Sequence, residues 1–475
     1  MFRKEGDVSL SVTIVSLTVL DIGRQTFGLQ PNRRITYLRL QSVLVLLGMT
    51  APVFAQYAGP AVLSRGEAPA AMSAPEIRFR PFVEISAMYD TGLAGVAVNN
   101  QGDLADSSSY GLNFAWGVSG THSWRRTKVG LDYRGSIDHY FQQTFYDSLS
   151  QSMLLGISHR LSRRSTFTLN TGAGIFSRDF GLAALPQTVP FDPSTVYIPT
   201  TDFFDNRTYY LTTQGNLSIQ KTARLSFNVG GLGFLNRRRS SALYGVIGAG
   251  AVGDVQYRIS RQSTIGGGYA YQHYEFNRIL GGTDVHQFNF AFARRLTRWT
   301  EFSGYVGAAR AETKFLQVVQ ISPVIAALLG ISTSTQITHD ILWEPNVSAR
   351  LSRTFHTGVL YIAGGHEITP GNGLFLTSAS TSVFAGYSYT GLRRWSFGTQ
   401  AAYSRAQSFG NIGGTYGSES FGLSVSRQII HSVHFVANYS ARRYDSPDYS
   451  KYNRLIHNVR VGVGFAPGDV PLRIW

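Results

Sequence analysis

From residue 77 onward, apolar and polar residues alternate one for one through run after run. Ile77, Phe79, Val83, Ile85, Ala87 and Tyr89 fall on one face, with Arg78, Arg80, Glu84 and Ser86 on the other. The same two-residue period sets Val129, Leu131, Tyr133 and Ile137 against Lys128, Asp132, Arg134, Ser136 and Asp138, and Phe288, Phe290 and Phe292 against Gln287, Asn289 and Ala291. It sets Trp343, Val347, Ala349 and Leu351 against Glu344, Asn346, Ser348 and Arg350, and Val459, Val461, Val463 and Phe465 against Asn458 and Arg460. Successive side chains of an extended strand point to opposite sides, so each run predicts a strand with one apolar and one polar face. The runs lie at 77–90, 109–123, 126–140, 148–161, 164–177, 206–220, 223–236, 243–259, 262–276, 283–296, 299–312, 337–351, 354–368, 377–391, 394–408, 415–428, 431–444 and 454–465. Most are more than twice as long as the five or six residues of an ordinary strand.

The connections alternate too. One set is short and basic: Leu161-Ser162-Arg163-Arg164, Lys221-Thr222-Ala223-Arg224, Ile259-Ser260-Arg261-Gln262, Leu296-Thr297-Arg298-Trp299, and Leu392-Arg393-Arg394. The other set is longer and irregular, reaching its extremes at 178–205 and 313–336. Short turns at one end and long loops at the other describe antiparallel hairpins standing side by side. An even strand number returns both ends of the sheet to the short-turn side.

With these features the chain resembles a bacterial outer-membrane β-barrel over residues 77–475. The resemblance implies an all-β, up-and-down antiparallel transmembrane barrel of about 18 strands (16–18), with short periplasmic turns and long extracellular loops. It implies location in the outer membrane, contact with outer-membrane lipid, and recognition of a terminal aromatic residue, here Trp475, by the barrel-assembly machinery. Pro467, Gly468 and Pro471 interrupt the final stretch, leaving Phe465 as the alternative end of the last strand and 466–475 as a tail.

Composition narrows the picture. Charged residues make up only 15% of the chain, against about a quarter in soluble domains. After residue 56 no apolar run reaches the ~20 residues of a spanning helix, so the membrane has to be crossed by strands. The N-terminal part reads as an extension plus secretory signal peptide over 1–55. Arg33, Arg34 and Arg39 precede an apolar stretch at 40–49, and small residues end at Ala55. Residues 56–76, rich in Ala, Pro and Gly, form a periplasmic lead-in. The net charge of +15 is concentrated in the short turns, which places it on one rim and argues against nucleic acid as a partner. The absence of cysteine removes disulfides and thiolate chemistry.

No hydrolase elbow, phosphate loop or spaced metal-ligand set appears in the sequence, so the expectation is a non-enzyme without cofactor or metal. A barrel of 16 to 18 strands leaves an aqueous channel. The lumen-lining candidates are Arg78, Arg80, Glu84, Lys128, Asp132, Arg134, Asp340, Glu344, Arg350, Arg442 and Arg460, in a Gly, Ser, Asn, Gln and Thr background that suits water. Charged rings of this kind set ion preference, and pairing across strands is the alternative use of the same residues. Loop 178–205, with Phe180, Phe191, Tyr197, Phe203 and Phe204, is expected to form a constriction. The apolar loop 313–336 is expected to lie on lipid, plug the lumen or bind a partner. The reading is a channel for passive passage of hydrophilic solutes or export of a polysaccharide. The alternative is a structural or surface-attachment barrel closed by its own loops.

Overall fold

A computed structural model describes residues 77–92, 108–142, 144, 147–176, 208–239, 244–277, 281–320, 333–370, 376–389, 392, 394–409, 414–430, 432–445, 454–467 and 470–472. Long alternating runs with no helical period can satisfy their backbone groups in lipid only by closing a sheet on itself. They do so as β1 (Ile77–Asp90), β2 (Ser109–Ser123), β3 (Thr127–Tyr140), β4 (Ser148–Arg160), β5 (Ser165–Phe176) and β6 (Thr208–Gln220). There follow β7 (Leu225–Arg238), β8 (Val246–Arg258), β9 (Ser263–Phe276), β10 (Gly281–Arg295), β11 (Thr300–Gln320) and β12 (Thr333–Phe355). The circuit ends with β13 (Gly358–Thr369), β14 (Ser378–Tyr389), β15 (Trp395–Ser408), β16 (Thr415–Ile430), β17 (Val433–Asp445) and β18 (Arg454–Phe465). Every neighbour pairs antiparallel in chain order, and β18 returns to β1 through Val83↔Phe465 to Asp90↔Asn458. The result is a closed antiparallel barrel of 18 long strands, as the alternation predicts.

Phe465 ends β18, but the chain beyond it is not wholly a tail. A three-residue β19 (Val470–Leu472) pairs with Ile77–Phe79 and carries the closing seam to the foot of β1. Trp475 lies outside the described residues, as do residues 1–76 with the signal peptide and lead-in.

The phase of the alternation is as read from the sequence. Ile85, Phe114, Ile137, Leu211, Phe288, Phe290, Val306, Trp343 and Val461 are exposed on the outer face, and the residues between them point inward. Such a belt of exposed apolar side chains is unstable in water and stable in lipid. The barrel therefore spans a membrane, with its apolar face outward.

The recurring short turn has a simple local cause. The hydroxyl oxygen of Ser162 accepts from the Arg164 amide, Thr222 from Arg224 and Leu225, Ser260 from Gln262 and Ser263, and Thr297 from Trp299. In each turn the amide of the same Ser or Thr donates to the carbonyl three residues on. A side-chain acceptor at that place satisfies amides that a tight turn leaves without partners.

The sequence boundaries fail most at β11 and β12. These strands extend to 21 and 23 residues, so residues 313–320 and 333–336, half of the expected loop 313–336, are the arms of a projecting hairpin. Its register runs without a break from Thr300↔Arg353 to Gln320↔Thr333. The apolar core of that loop, 321–332, lies outside the described residues.

Candidate functional site: the inner wall

The inner wall is organised as rows of polar side chains running across strands. One row crosses β1 to β4 at Ser86↔Asn113↔Asp138↔Ser148. Here Asn113 Nδ2 donates to Asp138 Oδ1 at 2.6 Å and the Ser148 hydroxyl donates to Asp138 Oδ2 at 2.9 Å. Arg460 of β18 reaches the same carboxylate at 3.8 Å, while its Nε donates to Asn458 Oδ1 at 3.2 Å. Asn458 Nδ2 in turn donates to Asp90 Oδ2 at 3.0 Å. Both ends of the Arg460–Asp138 pair are buried, at 4% and 1% side-chain exposure. Removing one partner of such a pair leaves an uncompensated buried charge, so the two fix each other and the seam of the barrel.

A second row crosses β10, β11 and β12 at Asn289↔Gly307↔Asn346. Asn346 Nδ2 passes over Gly307 and donates to Asn289 Oδ1 at 2.9 Å. Glycine is required at the middle of the row. A Cβ on Gly307 would run into the Phe288 carbonyl oxygen and the Asn289 amide, one of them backbone that cannot move aside.

The extracellular part of this wall is covered by another part of the chain. β12 pairs with β13 only from Val347↔His366 down to Phe355↔Gly358. Above that point β13 leaves its place in the sheet and slides inside. His366 then meets Thr381 at 2.8 Å and the inward carboxylate of Glu344 at 3.3 Å. Ile368 shares a strand face with the outward Ile362, yet it is buried against Ala309 and Ala311. Leu376 joins that cluster with Leu232, Phe234, Val246, Tyr274, Phe276 and Val285. Thr377 meets Thr283 of β10 at 2.9 Å, four strands away around the wall. The described part of the β13–β14 tip, residues 366–370 and 376–378, thus lies across the inner faces of β9 to β12. Small residues on β11, Ala309 and Ala311, leave room for it.

The opposite side of the interior is open. In the periplasmic halves of β3 to β7, the inward residues Lys128, Thr168, Asn170 and Asn228 are only half-buried. Leu154, inward beside Asp132, is 37% exposed. An exposed side chain on the inward face faces space within the barrel.

The residues singled out from sequence therefore divide into groups. Glu84, Arg442 and Arg460 point inward and are buried. Asp132 and Arg134 point inward on the open side and form a two-point ion pair, with Arg134 Nε and Nη2 on the two carboxylate oxygens at 2.8 and 2.6 Å. Glu344 is held by His366, and Arg350 is half-buried lower on β12. Asp340 belongs to the projecting β11–β12 hairpin and is exposed, well above the rows. Arg78 and Arg80 have a backbone register on β1, opposite Thr121 and Ser119, and their side chains lie outside the described residues. So does loop 178–205 with Phe180, Phe191, Tyr197, Phe203 and Phe204. The inward polar background that suits water is not exposed throughout: Asn289, Gln287 and Asn346 are inward and polar, yet buried. Sequence reasoning missed the β13–β14 tip. Its available signals were the Ala309-x-Ala311 spacing and an apolar Leu376 beside a glycine-rich connection.

Outside, above the belt, β9 to β12 carry a charged cluster. Glu312 binds Arg310, Lys314 and His339 at 3.0, 2.8 and 3.0 Å, and Asp284 binds Tyr271 and His273 at 2.6 and 2.9 Å. Glu312 is twelve residues past Thr300, a height of ~30 Å for a strand tilted ~40°, above an apolar band of ~25 Å. Hydrogen bonds from Lys314 and Arg310 hold its carboxyl down at about 2. Among the described residues no group of His, Asp and Glu has the geometry to hold a metal ion.

No family model matches this chain, and no curated protein matches it. Its likenesses are to solved barrels. Pseudomonas aeruginosa OpdQ is 10% identical with a TM-score of 0.40, over 84% of this chain and 98% of that one. Pseudomonas aeruginosa OccK5 (OpdH) is 12% identical with a TM-score of 0.39, over 84% and 99%. The FrpB iron transporter of Neisseria meningitidis, in its apoprotein form, is 8% identical with a TM-score of 0.40, over 79% and 62%. The closed circuit, the outward apolar belt and the inward polar rows make this chain a multi-pass β-barrel of the outer membrane, porin-like in its architecture.

Proposed function

We propose that the protein is a passive outer-membrane channel for small hydrophilic solutes, with its path along the inner faces of β3 to β7. The carrying observation is the exposure of inward residues there, Leu154 and Ser218 above all, inside a closed wall. Lys128 and the Asp132–Arg134 pair give that path a mixed polar lining, suited to neutral or zwitterionic solutes more than to a single ion sign. The test is single-channel conductance of the purified barrel in planar bilayers, with liposome swelling by sugars of graded size. Defined steps and a size cut-off support the reading.

A second reading is favoured by the covered wall of β9 to β13. The β13–β14 tip and the buried rows leave that side closed, as in a structural barrel shut by its own segments. Absence of both conductance and swelling in correctly folded protein selects it. The export of a polymer such as a polysaccharide needs a continuous wide bore. A swelling cut-off limited to small sugars excludes it.

A further inference from the structure

We propose that the periplasmic rim is a binding surface for anionic phospholipid headgroups, in which each turn supplies an arginine or lysine for phosphate and most supply an apolar side chain for the acyl region beneath. The eight short turns joining β2 to β17 in pairs all end on this rim. The turn segments 124–126, 161–164, 221–224, 259–262, 296–299, 353–357, 390–394 and 429–432 contain no Asp or Glu. Arg125, Arg126, Arg163, Arg164, Lys221, Arg224, Arg261, Arg298, Arg353, Arg394 and Arg427 are all exposed at or beside these turns. The arginines at the strand ends are used differently: Arg160 and Arg258 donate to the turn carbonyls of Ser162 and Ser260, and Arg295 lies 3.6 Å from Glu301. The tip residues thus present charge to solvent, and in four of the turns Ser162, Thr222, Ser260 and Thr297 brace the backbone through their hydroxyls.

Charge alone fits any acidic partner. The apolar residues decide between them. Trp124, Leu161, Ile259, Leu296, Trp299, Leu392 and Ile430 are each at least half exposed, in the same turns as the arginines. A soluble acidic polymer offers nothing to cover them, whereas a lipid interface takes the apolar side chain below and the guanidinium at the phosphate. A guanidinium fork matches a phosphodiester in geometry as well as charge. The repetition from β2 to β17 spaces cationic side chains along most of that rim.

The tryptophans make this testable. In a variant keeping Trp299 alone, its fluorescence is quenched by dibrominated lipid in vesicles of mixed phosphatidylglycerol and phosphatidylcholine. With the bromine on phosphatidylglycerol, quenching should show roughly a fivefold preference over the same bromine on phosphatidylcholine, the effect of about one cationic side chain at an anionic surface. Arg298→Gln should reduce the preference, Arg298→Lys should keep most of it, and 1 M salt should reduce it in the unsubstituted turn, which needs no folding variant. A variant keeping only Trp343 is the control: it is outward and exposed, but its neighbour Arg310 is paired with Glu312. Equal quenching by the two lipids at Trp299 overturns the proposal. So does a preference that survives both Arg298→Gln and salt, or one equally strong at Trp343. Tight, salt-sensitive binding of soluble polyglutamate without any lipid preference assigns the rim to a periplasmic partner instead.

Discussion

Phe290→Arg should destabilise the barrel by about 2–4 kcal/mol, the cost of an arginine at the middle of the lipid face of such a barrel. The depth follows from the strand. Phe290 is five residues from the Arg295 end of β10, or ~17 Å along the chain and ~13 Å in height at a tilt of ~40°, half of an apolar band ~25 Å tall. Its side chain is 53% exposed, next to Val306 on β11 and Gly267 on β9, so nothing polar lies beside it to receive a guanidinium. Two inward substitutions calibrate the result. Thr168→Arg enters the open side of the lumen and should cost under ~0.5 kcal/mol, as an ordinary exposed change does. Asn289→Arg is one residue from Phe290 but inward, 6% exposed, and the acceptor for Asn346. It should cost about 1–3 kcal/mol through overpacking, with a further loss from the orphaned Asn346 amide. The assay is reversible denaturant unfolding in lipid vesicles followed by tryptophan fluorescence, with the heat-resistant folded band on gels as a check. If Thr168→Arg costs more than Phe290→Arg, the inward and outward faces have been exchanged and the reasoning fails.

Other consequences follow from the inner wall and the outer cluster. Gly307→Val should fold poorly or lose about 1–3 kcal/mol or more, because its side chain meets the Phe288 carbonyl and parts Asn346 from Asn289; Gly231→Ala, whose Cβ would meet its nearest atom at 3.5 Å, should be far milder in the same assay. Ile368→Ala with Leu376→Ala removes about 2–5 kcal/mol of packing per site from the β13–β14 tip and should raise mean single-channel conductance, while oxidised Thr283→Cys with Thr377→Cys, in a chain with no other thiol, should hold the wild-type level. Equal conductance for these variants and the wild type would remove the tip from the permeation path. Glu312 has a folded value depressed to about 2, so its contribution to the projecting hairpin is present above ~4.5 and is lost as the pH falls from there toward 2. Hydrogen exchange of β11 amides 310–316 should therefore stay slow at pH 5 and accelerate near pH 2–3, and Glu312→Gln should abolish that step.

The outside of this barrel was legible in the sequence and much of the inside was not, for one physical reason. Lipid demands an apolar residue at every second position, so the outward face writes itself into the chain as a strict period, and strand ends at 77, 90, 109, 123, 148, 454 and 465 agree with the structure. The turns are equally legible, because Ser162, Thr222, Ser260 and Thr297 each do the same local job and a local job leaves a local motif. The inward face obeys no such rule. Asn289 and Asn170 carry the same side chain on the same face of different strands, but one is buried in a row and the other is half-buried beside open space. What separates them is whether another segment lies opposite, which depends on contacts such as Thr283 with Thr377, 94 residues apart. Alternation also stops being informative where a strand leaves the sheet. Ile368 is apolar at a position that should meet lipid, and it meets Ala309 and Ala311 instead, because β13 has parted from β12 two residues earlier. An apolar residue in phase with the belt fits either destination. Only the small residues waiting on β11, Ala309 and Ala311, distinguish them.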